Sequence, residues 1–433
     1  MKRLRLLSAA VIIIWAGSAT PQTRLLIITG VSVIDVVSGR IDPGRTVTIN
    51  DDTITRVSAS GAVPADAEVL DGRDKFLIPG LWDMHAHNQV SGAAAVDLYL
   101  ANGVLGTRDM GSDLDFILPL RDRIRRGELN GPDIVAAGPM LDNAPADWPF
   151  RRRVRTADEA REAVRDLGKR GVDFIKVHNN TPRDAFFAIA EEAPKVGLPF
   201  AGHVPLAVTI AEGVASGMKS IEHFSESRVF RECTGKAQPY DAASCRPLFD
   251  KLAATTVWQT PTVAFSRALP DVLAGKPMSH AEYASDSQLA FVRQMMTAVK
   301  LDEQALAFFR SNSQTSLTVI KDMLPRGNLF LAGCDGGIPG FCLHDELQVL
   351  TEAGLTPLQA LQTATINPAR ALGREKTEGA ITPGMRANLV LLDANPLTDI
   401  RNLQRIAAIV VRGRALGAKE IERIKATHRR RTP

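Results

Sequence analysis

Residues 156–178, TADEAREAVRDLGKRGVDFIKVH, contain one complete helix and the strand that follows it. Thr156 with Glu159 three residues later is the pattern of a helix N-terminal capping box, and Gly171 is a typical helix stop. The apolar run VDFIKVH after the glycine is typical of a buried strand. The stretch therefore predicts a helix that begins after Thr156, ends before Gly171 and leads directly into a strand.

The same order of helix and strand repeats through the middle of the chain. DAFFAIAEEAPKVG precedes FAGHV, LAVTIAEGVASG precedes MKSIEHF, RPLFDKLAATT precedes VWQTPTV, and a long helical stretch ending near Leu324 precedes NLFLAGCDG. Two further candidate strands, FLIPGLWDMHAH and VLGTRDMG, lie earlier in the chain, so the number of predicted strands approaches eight. This alternation indicates a parallel sheet covered by helices, and the count favours a (β/α)8 TIM-type barrel over an open doubly wound sheet.

Both ends of the chain have a different pattern. Residues 23–77 and 376–416 consist of short apolar runs separated by Gly, Asp-Asp and Pro turns, which predict antiparallel strands and hairpins. Residues 78–375 are therefore assigned to the barrel and residues 417–433 to a C-terminal helix and basic tail. The segments 232–245 and 265–300 interrupt the helix–strand order, and we expect both to lie over the mouth of the barrel.

The N-terminus predicts where the protein is located. Lys2, Arg3 and Arg5 precede an apolar run and the small residues GSA, which is typical of a secretory signal peptide over residues 1–19 with cleavage after Ala19. An uncleaved N-terminal anchor is the alternative. Cleavage predicts an exported, periplasmic protein with no stable membrane insertion.

Composition excludes several classes of protein. The 433 residues are 45% hydrophobic and 23% charged, which excludes a disordered or collagen-like chain. The formal net charge of +4 falls by three to +1 when the three basic residues of the predicted signal leave. The basic runs 151–153 and 429–431 are expected to be solvated. The sequence therefore predicts no nucleic-acid partner, and it leaves a homo-oligomer open.

The four cysteines are too few for a disulfide scaffold, and no CxxC pair indicates a zinc ribbon or a redox motif. Cys233 with Cys245, and Cys334 with Cys342, are close enough in sequence for each pair to form a disulfide in an oxidising compartment. Four free or buried thiols are the alternative.

Polar residues recur where the predicted strands end. They are His85, His87, Lys176, His203, His223 and Asp335. The carboxyl ends of barrel strands meet on one face, so we expect these side chains to converge there. His85 and His87 are two residues apart on a strand and point to the same side, where both imidazoles can reach one metal ion. Two satisfied polar residues are the alternative interpretation of this HxH pair.

The ordered set PGLWDMHAH, FIKV, AGHV, SIEHF and AGCDG resembles the amidohydrolase superfamily, within it the secreted branch similar to prolidases and imidazolonepropionase-like hydrolases. The tail TPLQALQTATINPARALG followed by GAITPGMRANLVLLDANPL is similar to the end of that branch. The resemblance implies a distorted TIM barrel with a small β-sandwich formed from residues 23–77 and 376–416. Asn388 stands where the family usually has Asp.

The resemblance also implies a set of metal ligands. His85, His87 and Asp335 would bind a first divalent metal ion, and His203 and His223 a second, with zinc as the expected metal. Lys176 falls where this branch has a lysine carboxylated by CO2 whose carbamate bridges the two ions. A protonated amine cannot bind zinc, whereas a carbamate offers two anionic oxygens. A buried lysine paired with Asp335 around a single metal is the alternative.

The implied reaction is attack of a metal-bridging hydroxide on a carbonyl carbon. Asp335 would act as general base and then general acid, the alternative being a ligand with no proton role. His178 could donate to a substrate carbonyl or cap its strand. Arg108 could bind a substrate carboxylate or form an ion pair with Asp109 or another acid.

Three further points concern the site and its substrate. The sequence GHVPLAVT lacks the Tyr or His that relatives often carry after the histidine corresponding to His203. His280 and His344 are expected at the surface. The predicted substrate is a small molecule, a dipeptide or N-acyl amino acid. A lactone, carbamate or cyclic amide is the alternative, and a catalytically inactive binding protein is a third possibility.

Overall fold

The computed structural model describes residues 24–144, 150–223, 229–234, 240–298 and 302–430. The predicted signal peptide and its cleavage after Ala19 lie outside the described residues. Within the described ranges, no helix combines the length and apolar character needed to cross a membrane.

The strands are β1 (Leu25–Ile34), β2 (Ile41–Asn50), β3 (Thr53–Ser58), β4 (Glu68–Asp71), β5 (Phe76–Pro79), β6 (Leu81–Ala86), β7 (Val104–Asp109), β8 (Asp133–Ala136), β9 (Met140–Asp142), β10 (Arg151–Arg153), β11 (Ile175–Val177), β12 (Phe200–Gly202), β13 (Ser220–Glu222), β14 (Trp258–Thr260), β15 (Leu329–Phe330), β16 (Leu389–Leu392), β17 (Ile406–Val411) and β18 (Arg414–Gly417).

The α-helices are α1 (Asn88–Ser91), α2 (Asp97–Ala101), α3 (Leu114–Arg125), α4 (Ala157–Arg170), α5 (Arg183–Glu192), α6 (Ile210–Ala215), α7 (Val229–Thr234), α8 (Ala242–Ala253), α9 (Val263–Leu273), α10 (Asp286–Ala298), α11 (Glu303–Met323), α12 (Phe341–Glu352), α13 (Pro357–Thr363), α14 (Ile366–Ala371) and α15 (Ala418–His428). Short 3-10 helices lie at Ala93–Ala95, Pro194–Val196, Ala281–Tyr283, Leu324–Arg326 and Ile400–Gln404.

The predicted helix over residues 157–170 is confirmed as α4. The Thr156 hydroxyl accepts a hydrogen bond from the backbone N–H of Glu159, and Gly171 ends the helix in the left-handed region with φ 81°. The Glu159 carboxylate accepts from the N–H of Arg155, one residue before the cap, at 2.7 Å. The cap is therefore made from the predicted residues, with the glutamate bonded one position earlier than a capping box requires.

The middle of the chain is an α/β structure with parallel strands, as the helix–strand alternation predicts. One parallel sheet has the order β10-β9-β11-β12-β13-β14-β15, and a second has the order β6-β7-β8. Backbone hydrogen bonds join the two sheets, from Asp173 N just before β11 to Ala136 O of β8 at 2.8 Å, and from Met84 N of β6 to Ala332 O just after β15 at 2.9 Å. The carboxyl ends of these strands thus lie on one side of the molecule.

Strands from both ends of the chain pair in a third sheet with the order β18-β17-β16-β5-β1-β2-β3, while β4 pairs with β1. The central strand β16 is buried on both faces, because Leu389 and Leu391 pack into the core of this flank sheet whereas Val390 and Leu392 pack into the main core. Alternate side chains of one strand point to opposite faces. Strand β16 therefore packs the flank sheet against the parallel sheets. Strand β5 continues through Gly80 into β6, which contains His85 and ends just before His87.

Candidate metal centre

The strand ends bring most of the predicted site residues to one cavity of about 330 Å³. His85, His87, Lys176, His178, His203, His223 and Asp335 all line it. His85 and Lys176 lie on β6 and β11. The other five directly or closely follow strands: His87 follows β6, His178 follows β11, His203 follows β12, His223 follows β13 and Asp335 follows β15. Parallel strands explain this convergence, since their carboxyl ends share one side of the sheet.

Asp335 lies at the centre of the cluster. Its Oδ1 is 3.3 Å from Nε2 of His85 and 3.3 Å from Nε2 of His87. Its Oδ2 is 3.8 Å from Nδ1 of His223. One ligand atom each from His85, His223 and Asp335 can be chosen so that all lie within 4.8 Å of one another. Two imidazole nitrogens and a carboxylate oxygen so close together suit a divalent metal such as zinc.

Each histidine of the predicted ligand set uses Nδ1 for a hydrogen bond outside the cluster. The partners are Glu222 Oε2 for His85 (2.8 Å), Gly111 O for His87 (3.1 Å), Asn179 Oδ1 for His203 (2.9 Å) and Thr262 Oγ1 for His223 (2.6 Å). A carboxylate or carbonyl acceptor requires the proton on Nδ1, which leaves the Nε2 lone pair for a metal. Among the described residues, His85 Nε2 is buried and has no partner in hydrogen-bond geometry. The donor set therefore fits a metal ion.

Backbone conformation aims two of these side chains. His223 has φ 61° and Asp335 has φ 63°, so both are in the left-handed region, which is uncommon for residues other than glycine. The Asp335 N–H donates to the carbonyl of His85 at 2.6 Å. Such conformations persist where the surrounding structure enforces them, and they are frequent at functional sites.

Burial and mutual charge set the protonation of the cluster. Burial lowers the pKa of His223 to about 3 and the pKa of His203 well below its usual value, with nearby Lys176 contributing to both. Burial alone would raise the pKa of Asp335, but the imidazoles of His223 and His85 hold it well below its usual range. His203 and His223 are thus neutral and Asp335 is ionised near pH 7, which are the forms that bind a metal.

Lys176 is buried beside these rings, with 1% of its surface exposed. It lies on β11 opposite Ala201 of β12, where Gly202 follows. A Cβ on Gly202 would lie 2.9 Å from Lys176 Cδ and 2.2 Å from the carbonyl oxygen of Val177. Glycine is therefore needed at this position for the lysine side chain to run along β12 into the cavity.

His178 does not act as a simple strand cap. Its ring lies 4.1 Å from the ring of His203, and its Nδ1 is 3.4 Å from Asp142 Oδ2. Burial lowers the pKa of His178 to about 4 despite the opposing effect of Asp142. Arg151 Nη1 pairs with the same carboxylate oxygen at 2.8 Å and lines the cavity. This corrects the expectation that the whole basic run 151–153 is solvated.

The structure also corrects the predicted substrate contact of Arg108, which does not line the cavity. Its Nη2 donates to Glu222 Oε1 at 2.8 Å, its Nη1 to Ser220 Oγ at 2.8 Å and its Nε to the carbonyl of Met84 at 2.7 Å. The alternative, an ion pair with an acid other than Asp109, is what forms. Glu222 also bonds to Nδ1 of His85. Because its carboxylate is fully buried, it requires a cation such as Arg108 beside it.

Replacing Arg108 by Met should lower the free energy of unfolding by about 3–5 kcal/mol, because Glu222 would remain as a buried charge without its cation. Urea denaturation of the metal-free protein measures this. Arg401→Met is the control, since Arg401 pairs with Asp399 at the surface and its loss should leave the free energy of unfolding nearly unchanged. A similar small cost for Arg108→Met would contradict the buried pair.

Two predictions about histidine are also corrected. His344 is buried, and its Nε2 bonds to the carbonyl of Asn102 at 2.9 Å. His280 is half-buried and stacks on Phe341 at 4.5 Å between ring centroids. Both lie in helical or turn segments that pack against neighbouring elements, which sequence context alone does not reveal.

Of the two alternatives that the sequence left open for the cysteines, disulfides are what form, as Cys233–Cys245 and Cys334–Cys342. The second disulfide excludes another candidate site, since Asp83, Cys334 and Cys342 are grouped like metal ligands but the two sulfurs are bonded to each other. Among the described residues of segment 232–245, none lines the cavity. Residues 235–239 of this segment lie outside the described residues, so its expected position over the mouth stays a prediction, whereas α9 and α10 of segment 265–300 do line the cavity.

Sequence reasoning missed the residues that hold the histidines in place. Glu222, Asn179 and Thr262 each bond to one ring, and Asp142 holds His178 and Arg151. One signal was available for Glu222: a glutamate within a predicted buried strand, next to a predicted ligand, requires a partner inside the protein. Asn179 and Thr262 carried no comparable signal.

A sequence model of the Amidohydrolase family matches residues 76–416. Among curated proteins, the chain is 22% identical over 413 residues to adenine deaminase 4 of Rhizobium meliloti (strain 1021), covering 92% of this chain and 58% of that protein. It is 22% identical over 400 residues to ochratoxinase of Aspergillus niger, covering 78% of this chain and 74% of that protein. The chain spans little more than half the length of the adenine deaminases that it matches.

Among solved structures, a putative prolidase from Bifidobacterium longum superposes with a TM-score of 0.73 at 22% identity, covering 94% of this chain and 99% of that chain. At this level of identity the likeness concerns the fold. It extends over nearly the whole chain, so the flank sheet and the parallel sheets are both part of the shared architecture.

Proposed function

The chain belongs to the amidohydrolase family, and on that premise we propose that it is an exported, metal-dependent hydrolase that cleaves an amide or peptide bond of a small substrate. The observation that carries the proposal is the cluster of His85, His87, His223 and Asp335 at the base of one cavity, with Nε2 of His85 and His87 facing the carboxylate. Export is supported by the two disulfides, because disulfides persist in oxidising compartments.

The proposal includes a closed (β/α)8 barrel with a β-sandwich made from the two flanks. The backbone bonds between Asp173 and Ala136, and between Met84 and Ala332, support closure at the two seams between the parallel sheets. A closed barrel would hold His85 on β6 and His203 and His223 after β12 and β13 at fixed separations.

His85, His87 and Asp335 would hold one divalent metal ion, and His203 and His223 a second, with zinc as the proposed metal. A carboxylated Lys176 would contribute oxygens to both. Lys176 lines the same cavity as His203, His223 and Asp335, where a carbamate could reach both proposed metal positions, and this placement supports carboxylation. The bound metals would lower the pKa of water and polarise the scissile carbonyl.

Asp335 would move the proton during hydrolysis. Its ionised carboxylate can accept a proton from the attacking water as the oxygen bonds to the carbonyl carbon, and can return it to the leaving nitrogen as the C–N bond breaks. The proton taken from the nucleophile is the one that the amine requires, so the step needs no other acid. Asp335 is ionised near neutral pH, which is the form that a general base requires.

Arg151 and His178 would orient the substrate. Arg151 is a cation in the cavity and takes the place of Arg108 as the proposed contact for a substrate carboxylate. Arg151 Nη2 lies 3.5 Å from Nδ1 of His178, and donation to that atom would leave the Nε2 proton of His178 for the carbonyl oxygen. His178 would then supply the contact to the carbonyl oxygen that relatives often take from a Tyr or His after the histidine corresponding to His203.

A dipeptide or an N-acyl amino acid is the proposed substrate, because either has an amide beside a carboxylate. The alternative, a lactone, carbamate or cyclic amide, uses the same metals but has no carboxylate for Arg151. The test combines elemental analysis of the purified chain with a hydrolysis screen in which each N-acyl amino acid is paired with its uncharged carboxamide.

We expect two metal ions per chain, hydrolysis of the amide bond, and a KM for the free acid at least about tenfold below that of the carboxamide, since a charged hydrogen bond contributes about 1.5–3 kcal/mol. Arg151→Met should remove the difference between the two substrates, whereas Arg153→Met, on the exposed end of the same strand, should keep it. A folded protein that binds no zinc would overturn the proposal. Ammonia release from adenine without amide cleavage would assign deamination instead.

A further inference from the structure

The cavity has two walls of different chemistry. Its polar lining includes the histidines, Lys176 and Asp335, whereas α9 and α10 contribute apolar side chains, with Gln288 as the exception, and together form the apolar wall. These helices belong to the segment that interrupts the regular helix–strand order. Nothing in the metal chemistry requires such a surface, so its function lies in what it contacts.

Helix α9 presents one continuous apolar face to the cavity. Phe265, Ala268, Leu269 and Val272 line it with the spacing i, i+3, i+4, i+7 of a single helix face. All four are half-buried, whereas Pro270 on the other face is buried. Half-buried apolar side chains that face a cavity are available to contact a ligand.

Helix α10 repeats this arrangement. Phe291, Val292 and Met295 line the cavity and are half-buried, while the neighbouring Met296 is exposed and does not line it. Phe291 stacks on Phe150, which precedes β10, with the ring centroids 6.5 Å apart. Helix α10 therefore extends the apolar wall from α9 to Phe150.

The apolar wall begins at the catalytic cluster itself. Thr262, which bonds to His223, is the residue directly before α9. A Cβ on Gly336, next to Asp335, would lie 2.5 Å from the ring of Phe265. The backbone N–H groups of Val263 and Ala264 donate to the buried Glu346 carboxylate, which fixes the start of the helix. A group bonded to the scissile carbonyl would meet this wall within a few atoms.

The topology separates α9 from the cation, whereas α10 reaches Phe150, the residue next to Arg151. Arg151 is on β10 at one edge of the seven-stranded sheet, whereas α9 follows β14 near the other edge, with the histidine strands between them. A substrate carboxylate at Arg151 would place the amino acid part on that side. The acyl part would then extend toward α9.

We propose that the faces of α9 and α10 form an acyl subsite, so that the preferred substrates are N-acyl amino acids with a long or bulky apolar acyl group. This inference rests on the proposed function and adds which part of the substrate is selected. Transfer of each methylene from water to the wall should raise kcat/KM about fourfold until the cavity is filled.

The test compares kcat/KM for N-acetyl, N-butanoyl, N-hexanoyl and N-octanoyl derivatives of alanine. A rise of at least about 100-fold from acetyl to octanoyl is expected from the methylene increments. A second series keeps the acetyl group and lengthens the side chain of the amino acid, for which little gain is expected.

Two adjacent methionines give a matched pair of variants. Met295→Ala should lower the octanoyl-to-acetyl ratio of kcat/KM about tenfold, because contact with the acyl chain is lost. Met296→Ala should leave that ratio unchanged, because this side chain faces away from the cavity. Ala268→Phe, which fills the wall without removing a contact, should move the optimum to a shorter acyl chain.

The outcomes separate this inference from the proposed function. Hydrolysis of every N-acyl alanine at similar kcat/KM would overturn the acyl subsite and leave the proposed function standing. A gain only in the second series would overturn the orientation, since the wall would then hold the amino acid side chain. Failure to cleave any amide would overturn both.

Discussion

Replacing Asp335 by Asn is expected to lower kcat for amide hydrolysis by about 10³-fold or more. The carboxylate lies 3.3 Å from Nε2 of both His85 and His87, so it is placed to bind metal and to carry the proton between water and the leaving amine. Asparagine keeps the size of the side chain but cannot accept a proton at the oxygen in the same way. The loss should appear in kcat, measured with the best substrate of the screen.

Metal content measured on the same preparation separates the two functions of Asp335. If the variant keeps both metal ions and loses kcat, the carboxylate acts in proton transfer, whereas loss of metal identifies it as a ligand first. Asp345→Asn is the matched control, because Asp345 also lines the cavity but lies outside the ligand cluster. Retention of more than about a tenth of kcat in Asp335→Asn would contradict a general base that contributes the usual 10²–10⁴-fold.

Replacing Lys176 by Ala is expected to remove one of the two metal ions and to reduce activity by about 100-fold or more, since even residues that only orient ligands change metal affinity by about 10–100-fold. The lysine is the largest fully buried side chain of the described structure, and it ends among the histidines. Its carbamate is the proposed link between the ions. Elemental analysis and kcat/KM are the two measurements.

Adding short carboxylates to Lys176→Ala tests whether the lysine acts as a carbamate. Alanine leaves a space into which acetate or propionate can enter and supply the two missing oxygens, so both metal content and activity should return in part. Lys176→Met removes the amine while filling the space, and it should show no rescue. Unchanged metal content in Lys176→Ala would support the alternative of a lysine that is not a bridge.

Local features of the fold were predictable where short-range chemistry decides them. Thr156 and Gly171 set the ends of α4, because an N-cap hydroxyl and a left-handed glycine act within one helical turn. The short separations within Cys233–Cys245 and Cys334–Cys342 made these two pairings possible, and the structure decided that both disulfides form. The parallel α/β core follows from the helix–strand alternation, which depends on hydrophobic periodicity along the chain.

The convergence of the candidate ligands in one cavity was predictable, and the groups that surround them were not. The histidines and Asp335 stand at strand ends, and parallel strands carry such positions to one side. Arg108 also lies near the carboxyl end of its strand, β7, yet its side chain turns toward Glu222, which is 114 residues away in sequence. Arg151 resembled a solvated basic run, but Asp142 draws it into the cavity. The direction of each arginine side chain is set by the carboxylate that it pairs with, and tertiary packing determines which carboxylate is near.

The sequence by itself determined the order of helices and strands, the ends of α4 and the identity of the ligand candidates. The tertiary structure alone decided that the cysteines form two disulfides, which ring nitrogens of His85 and His87 face Asp335, which arginine enters the cavity, and that α9 and α10 line it with apolar side chains. The physical reason is the sequence separation over which each kind of interaction acts. Caps, turns and periodicity act over a few residues, whereas the hydrogen bonds of His85 to Glu222 and of His223 to Thr262 join residues 137 and 39 positions apart. Such contacts exist only once the strands have packed side by side.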